Sequence, residues 1–218
     1  MTTSPEAPPP SRLERLNATP PRRLAVTLFI FPLTLIPYQL LNHALPPRFD
    51  LLTPLDAALP FWPWTVTVYM SLYALYLAAA VALSPREYLR VLGAMLTLNC
   101  LCYVGFIALT AHYPRPGEEA WGASWWAFAF RWMFSMDPPG NTCPSLHVST
   151  ATLLGLALHK KREGRADRWL WRPWGALIAL STLTVKQHFV ADVASGALLG
   201  WGVFEWFERR WGGGGGGR

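Results

Sequence analysis

The sequence predicts an all-α membrane protein, a bundle of six transmembrane helices with a further helix at the outer membrane interface. Of its 218 residues, 52% are hydrophobic and only 15% are charged, whereas soluble domains usually carry about a quarter charged residues. The apolar residues come in long blocks, and the charges lie at the ends of those blocks. This pattern excludes a disordered, collagenous or disulfide-stapled protein and argues against an ordinary soluble enzyme.

Six apolar blocks are the predicted spans, and a span needs roughly 20 residues. They lie at 24–41, 64–83, 89–110, 144–159, 173–187 and 189–208. The first block contains Pro32 and Pro37, so neighbouring groups must satisfy the carbonyls that these prolines leave free. The fourth and fifth blocks are short and polar at one end, which predicts that this end faces a wet cavity and not lipid.

The flanking segments predict three regions along the chain. Residues 1–23 are rich in Pro, Ser, Thr and Arg and predict a disordered cytoplasmic tail. Residues 24–211 form the predicted six-span membrane domain. Residues 212–217 are six glycines, which predict a flexible end over 212–218.

The basic residues predict the orientation of the bundle. With the N-terminus placed inside, 15 of the 19 Lys and Arg residues fall in inner segments. The four outer ones are Arg48, Arg115, Arg131 and Lys186. The positive-inside rule then predicts that both termini are cytoplasmic, in a bacterial inner membrane or another plasma membrane. The net charge of +6 is therefore interpreted as an orienting signal, and no nucleic-acid partner is expected.

The longest outer loop, 111–143, is rich in aromatic residues, which is typical of a helix that lies at the headgroup level. Two interpretations of this loop stay open and are compatible: an aromatic belt at the membrane interface, or an entry path by which lipid reaches a site. Cys100, Cys102 and Cys143 have no metal-binding spacing and are interpreted as packing residues.

Two histidines, His147 and His188, are candidates for chemistry because each lies at the outer end of a short span, where polar groups are costly and usually functional. Asp192 follows His188 by four residues, which places both on one face of a helix. A carboxylate behind an imidazole fixes its tautomer and makes the other ring nitrogen a better nucleophile or base. The alternative for either histidine is a satisfied core residue.

At these residues the chain resembles the type 2 phosphatidic acid phosphatase superfamily, whose members have six spans. Pro144-Ser145-Leu146-His147 is similar to its Pro-Ser-x-His motif, and Ser181, His188 and Asp192 match its Ser-Arg-x5-His-x3-Asp motif in spacing. Arg115-Pro116 looks like the end of its first motif. The segment from Asp137 to Asn141 resembles the branch that includes inositol phosphorylceramide synthases.

The resemblance implies a metal-independent enzyme without a cofactor that acts on a lipid phosphate. It assigns His188 as the nucleophile that forms a phosphohistidine, Asp192 as its orienting carboxylate and His147 as the acid and base. Phosphate oxygens would be held by a set of four residues: Arg115, Ser145, Ser181 and Lys186. The motif Arg is replaced by Thr182, and the first motif lacks its Lys. Lys186 is expected to replace one of these cations.

Several functions stay open at this point. The motifs suit a lipid-phosphate phosphatase, in which water accepts the phosphoryl group, and equally a phosphotransferase, in which an alcohol accepts it. An intramembrane serine protease that uses Ser145 with His188 would leave His147 and Asp192 without a role. A non-catalytic bundle, for instance a haem carrier held by the two histidines, is the remaining class. Membrane lipids are the expected surroundings, and the sequence does not predict an oligomeric state.

Overall fold

The computed structural model describes residues 9–161 and 168–211, and the secondary structure of this part of the chain is helical. Within these described residues, extended backbone pairs only at an isolated bridge between Phe49 and Ala111. The helices are α1 (Arg12–Leu16), α2 (Pro20–Ala44), α3 (Pro54–Ala58), α4 (Val66–Met70), α5 (Leu72–Ala82), α6 (Pro85–Ala108), α7 (Ala127–Met136), α8 (Leu146–Lys161), α9 (Arg168–Thr184) and α10 (Val190–Trp211). The all-α prediction is confirmed.

The prediction of a disordered tail over 1–23 is wrong for its second half, which contains α1 and the start of α2. Ser11 and Glu14 form a reciprocal capping box that starts α1. Arg23 is buried, and its guanidinium donates to the carbonyls of Ala80, at 2.7 Å, and Asn17, at 2.9 Å. Composition missed this order because the carbonyl of Ala80 lies on another helix. Residues 1–8 and 212–218 lie outside the described residues.

Three helical segments of the described chain are long and apolar enough to cross a membrane: Pro20–Ala44, Pro63–Ala82 and Pro85–Ala108. They coincide with the first three predicted spans. The helices at the fourth and fifth blocks are shorter, with 16 residues in α8 and 17 in α9. The last block forms α10, which has 22 residues. The count of six spans therefore stays a prediction, although each predicted block is largely helical.

Helix α8 lies in the interior of the bundle, where it packs against α5, α6, α9 and α10. Its buried side chains include Ser149 and Thr150 as well as Leu153 and Leu154. Because protein surrounds this helix, its side chains meet neighbouring helices and not lipid, and small polar residues are tolerated. This explains why the sequence of α8 is less apolar than that of the first three spans.

Glycines bring α10 and α9 close to α8. A Cβ added at Gly200 would lie 2.3 Å from the carbonyl oxygen of Ser149, and one at Gly196 would lie 2.7 Å from that of Ser145. On the other side, a Cβ at Gly175 would lie 2.9 Å from the carbonyl of Ala151. The Gly196-x-x-x-Gly200 motif is thus used within the chain, where it fixes α10 against the start of α8.

Large apolar side chains cover the outside of the bundle. Leu28 and Phe29 on α2 are about two-thirds exposed, as is Leu198 on α10. In water such a surface would be an aggregation hazard, whereas in a bilayer it meets lipid. Within the aromatic loop, α7 buries Phe130 and Met133 and leaves Phe128 80% exposed.

Candidate active site

His188 and Asp192 form a hydrogen-bonded pair at the start of α10. Nδ1 of His188 lies 3.3 Å from Oδ2 of Asp192, and the same oxygen accepts the backbone N–H of Phe189 at 3.0 Å. Asp192 lies in the first turn and reaches back to the residue before the helix, as in a capping box. A carboxylate accepts the proton on Nδ1, so Nε2 carries the reactive lone pair.

The end of α9 sets the position of His188. The N–H of Gln187 donates to the carbonyl of Thr182 at 3.0 Å, and the N–H of Lys186 donates to that of Leu183 at 3.2 Å. Lys186 has φ 58°, the left-handed conformation that commonly ends a helix and usually falls on Gly. This turn stops α9 and places His188 just before α10.

His147 lies in the first turn of α8 and packs on Tyr69. The two rings stack with centroids 3.9 Å apart, and Nε2 of His147 lies 3.0 Å from the carbonyl oxygen of Tyr69. A carbonyl only accepts, so Nε2 carries a proton and Nδ1 is the nitrogen that can gain or lose one. The contact with α4 therefore leaves Nδ1 as the ring nitrogen available for proton transfer.

Both histidines line one cavity of about 460 Å³. Its wall is mostly apolar and aromatic, with side chains from α2, α4, α5 and α7. These include Phe31, Leu35, Met70, Tyr73, Tyr76, Trp132, Met133 and Met136. The two imidazoles thus meet at a polar region of an otherwise apolar chamber, which suits a ligand with a polar head and an apolar chain.

Arg115 lies beside this pair, between α6 and α7. Its Nη2 donates to Oε1 of Gln187 at 2.9 Å and lies 3.8 Å from Oδ2 of Asp137. Its guanidinium also lies over the ring of Phe134, at 4.6 Å from the centroid. Burial lowers the pKa of Arg115, although Asp137 opposes that shift. Nε is buried and has no hydrogen-bond partner among the described residues, so one donor of this guanidinium is unsatisfied.

Asp137 also belongs to the site, although in the sequence it stood out only through the resemblance of residues 137–141 to one branch of the family. It lines the cavity together with His147 and His188. The hydroxyl of Tyr38 donates to Oδ1 at 2.6 Å. Burial raises the pKa of Asp137, while Arg115 and the Tyr38 hydroxyl act in the opposite direction. Only folding brings α2 against this loop, so spacing offered no signal for it.

Lys186 has a different environment from the one predicted. Its Nζ donates to the carbonyls of Asp56, at 2.8 Å, and Leu59, at 2.6 Å, at the end of α3. Lys186 is not among the residues that line the cavity. Oδ1 of Asp56 in turn accepts the N–H of Val190, the first residue of α10, at 2.7 Å. Together these three bonds form the Asp56–Lys186 clamp. It joins α3 to the loop between α9 and α10, residues 185–189, which is called the His188 loop below.

The predicted hydroxyl ligands are also engaged elsewhere in this structure. Ser145 precedes α8, and its Oγ accepts the N–H of Val148 at 3.2 Å, as a helix N-cap does. Ser181 is buried and donates to the carbonyl of Ile178 at 2.6 Å. Thr182, at the position of the motif Arg, donates to Ala179 within α9. Of the residues predicted for the site, His147 and His188 line the cavity. Asp192 contacts His188, and Arg115 contacts Gln187 and Asp137 next to it. Ser145, Ser181 and Lys186 are not in the wall of the cavity either.

The sequence did not predict the clamp, the contact of Tyr69 with His147 or the contact of Gln187 with Arg115. Asp56 follows Pro54 in a short helix and carries no motif, and Tyr69 is one aromatic residue among many. Gln187 lies between Lys186 and His188 in the sequence and was given no role there. In the structure it is buried, and its Oε1 accepts a hydrogen bond from Arg115. Only the unusual polarity of Asp56 and Gln187 next to apolar blocks could have singled them out.

A profile of the PAP2 superfamily matches residues 87–211, from the first turn of α6 to the end of α10. This range holds the two histidines, Asp192 and Arg115, and it covers more than half of the chain. No curated protein and no solved structure matches the sequence.

Proposed function

Because the chain belongs to the PAP2 superfamily, we propose that it is an integral-membrane lipid-phosphate phosphatase that works through a phosphohistidine. Members of this superfamily are phosphatases and phosphotransferases that act on phosphate esters. The observation that carries the finer proposal is the convergence of His147 and the His188–Asp192 pair on one largely apolar cavity.

In the first half of the reaction, Nε2 of His188 attacks phosphorus. An N–P bond forms and the P–O bond to the lipid breaks. His147 enters this half as the imidazolium, protonated at both ring nitrogens, and the leaving alkoxide takes the proton from its Nδ1, which leaves His147 neutral for the second half. Asp192 holds Nδ1 of His188 and stabilises the positive charge that develops on its ring. Arg115 offers charge-assisted donors to the phosphoryl oxygens.

In the second half, Nδ1 of His147 accepts a proton from water as the water oxygen attacks the phosphohistidine. The N–P bond breaks, its electron pair returns to His188, and phosphate leaves. The carbonyl of Tyr69 holds the Nε2 proton of His147 at 3.0 Å in both halves. One nitrogen therefore both gives and takes the transferred proton, as two-step general acid–base catalysis requires.

A lipid substrate is supported by the surroundings of the cavity. Helix α2 contributes Phe31 and Leu35 to the wall and exposes Leu28 and Phe29 on the outside of the bundle. An acyl chain that extends between these faces would exchange one apolar environment for another. The phosphatase is proposed to face the extracytoplasmic side, because Arg115 lies in a segment assigned to that side by the distribution of basic residues.

The proposal is tested by phosphate release from a panel of lipid phosphates in detergent micelles. The panel contains phosphatidate, lysophosphatidate, a polyprenyl diphosphate and water-soluble glycerol phosphate. We expect release from at least one lipid and no release by the His188→Ala protein. Equal turnover of glycerol phosphate would contradict the lipid assignment, and no turnover of any ester would contradict the enzyme.

A phosphotransferase of the inositol phosphorylceramide synthase type is the second candidate. It shares the first half of the reaction, and an alcohol replaces water in the second. The observation that favours it is the carboxyl group of Asp137 in the wall of the cavity, since a carboxylate does not assist phosphate binding.

A further inference from the structure

We propose that Asp137 forms a subsite for a hydroxyl group in the cavity that holds the two histidines. The inference rests on the proposed function, because the hydroxyl belongs to one of its reactants. That reactant is an alcohol that accepts the phosphoryl group or a lipid that carries a free hydroxyl near its phosphate.

The carboxyl group of Asp137 is held in place and still accessible. Oδ1 accepts the hydroxyl of Tyr38 at 2.6 Å and lies 3.4 Å from Nδ2 of Asn42. Oδ2 lies 3.8 Å from Nη2 of Arg115, which is beyond a good hydrogen bond. The side chain keeps 27% of its exposure, and the residue lines the cavity. Oδ2 is thus an acceptor that can receive a further donor from a ligand.

The charge around Asp137 selects the kind of donor. A carboxylate oxygen accepts hydrogen bonds and repels a phosphate oxygen, so the bound group must donate. A cationic ammonium would also donate, but Arg115 already places a positive charge 3.8 Å from the same oxygen. An ammonium bound to this oxygen would be a second cation next to Arg115, and like charges repel. This leaves a neutral donor, and a hydroxyl is the neutral donor that this reaction supplies.

A bound acceptor alcohol would compete with water for the phosphohistidine. The alcohol oxygen forms the new O–P bond, the N–P bond breaks with its electron pair returning to His188, and the hydroxyl proton goes to Nδ1 of His147. The ratio of transfer product to free phosphate then depends only on this second half of the reaction. It is independent of how fast the phosphohistidine forms.

The experiment measures that ratio for the full-length protein with phosphatidate and added glycerol, by quantifying glycerol phosphate and inorganic phosphate. In a second arm, kcat/KM for lysophosphatidate, which has a free hydroxyl, is divided by kcat/KM for phosphatidate, which has none. We expect Asp137→Asn to lower one of these ratios at least ten-fold. A change in the first ratio identifies an acceptor alcohol, and a change in the second identifies the lipid hydroxyl.

Two further variants complete the test. Tyr38→Phe removes the donor that orients Oδ1 and should shift the same ratio in the same direction by a smaller factor. Glu118→Gln changes an exposed carboxylate that pairs with Arg131 and should leave both ratios unchanged. If Asp137 serves only Arg115 or the phosphate, both products fall in parallel and both ratios stay constant, which overturns the subsite. A wild-type protein that releases phosphate from no lipid of the full panel overturns the proposed function itself.

Discussion

At the scale of single residues, the two histidines have different environments, and these suit the different roles that the proposed mechanism gives them. His188 has a carboxylate at 3.3 Å behind its Nδ1, whereas His147 has a backbone carbonyl at 3.0 Å from its Nε2. A carboxylate stabilises a ring that becomes positively charged when it bonds to phosphorus. A carbonyl orients a ring without adding charge, which suits a proton carrier.

The first prediction separates these roles by trapping the phosphoenzyme. His188→Ala and His147→Ala should both lose steady-state turnover by at least about 100-fold, the usual range for general acid–base groups. With a labelled substrate whose leaving group needs no proton, His147→Ala should still accumulate acid-labile phosphate on the protein, and His188→Ala should not. Acid-labile phosphate on the His188→Ala protein would show that another residue is the nucleophile.

The second prediction concerns metals. Among the described residues, no group of three or more His, Cys, Asp or Glu side chains is placed to hold a metal ion, and Arg115 supplies positive charge at the site. Activity should therefore survive dialysis against EDTA, measured as phosphate release before and after. A complete loss that magnesium restores would contradict the mechanism.

At the scale of elements, α3 and the His188 loop act together through the Asp56–Lys186 clamp. Lys186 donates to the end of α3, where a cation also meets the negative end of the helix dipole, and Asp56 accepts the first N–H of α10. Hydrogen bonds lower the pKa of Asp56, although burial acts against them. An ionised Asp56 carboxylate can accept from both of its donor residues, Val190 and Thr53.

The third prediction tests the clamp against phosphate binding by Lys186. Lys186→Ala keeps a non-glycine residue at the left-handed position, so backbone strain stays comparable and only the ammonium is lost. If the clamp positions His188, then Lys186→Ala and Asp56→Ala should each lower kcat by about ten-fold, roughly 1.4 kcal/mol of barrier. The two variants remove different hydrogen bonds, from Lys186 to the Asp56 carbonyl and from Val190 to the Asp56 carboxylate. The double variant should still lose less than the product of the two, because both bonds attach α3 to the same loop.

A raised KM for the lipid phosphate with unchanged kcat in Lys186→Ala would instead support the phosphate-binding role inferred from the sequence. In that case the effects of the two single variants should multiply in the double variant. Lys186→Arg serves as the charge-preserving control for both outcomes.

The fourth prediction concerns the contact of α10 with α8. Gly200→Ala places a Cβ 2.3 Å from the carbonyl of Ser149, so α10 must move away from α8. We expect a loss of about 1–3 kcal/mol in stability, typical of overpacking, and a fall in activity because α10 carries Asp192. Gly202→Ala on the same helix meets nothing within 4 Å and should be neutral or slightly stabilising. Thermal unfolding in detergent measures both, and equal melting temperatures would contradict the close packing.

At the scale of the whole molecule, ion pairs join the ends of four helices at the predicted cytoplasmic side. Arg86 pairs with Glu14, and Lys161 with Glu87, while Glu208 on α10 accepts from both Arg90 and Lys160. The site residues Arg115 and Lys186 belong to segments predicted to lie on the other side. The charge asymmetry of the sequence thus corresponds to two chemically different ends of the bundle.

The fifth prediction tests this orientation in intact cells, in a background without the three native cysteines. A Cys at Glu118, whose side chain is 62% exposed, should react with an impermeant thiol reagent. A Cys at Arg210, exposed near the end of α10, should react only after the cells are permeabilised. The reverse pattern would invert the topology and place the site in the cytoplasm.

Local sequence was sufficient for several features. The helices follow from the length and polarity of apolar blocks, and the pairing of His188 with Asp192 follows from their spacing of four residues. The predicted shared helical face is wrong, because His188 lies in the loop before α10 and Asp192 reaches back to it from the first turn. By contrast, α1 was missed because composition marked its surroundings as a tail, although Ser11 and Glu14 carry the local signal of a capping box. Its contact with Arg86 of α6 could not be read from the sequence.

The sequence by itself determined an all-α chain with apolar helical blocks and two histidines, one of them with a carboxylate one turn away. Tertiary structure decided what each of these residues touches. The contact of His147 with Tyr69 joins residues 78 apart, and that of Arg115 with Gln187 joins residues 72 apart. Lys186 was expected to hold phosphate and instead meets Asp56, 130 residues away. The physical reason is that spacing fixes neighbours only within a turn of helix, whereas partners across the bundle depend on which faces pack together.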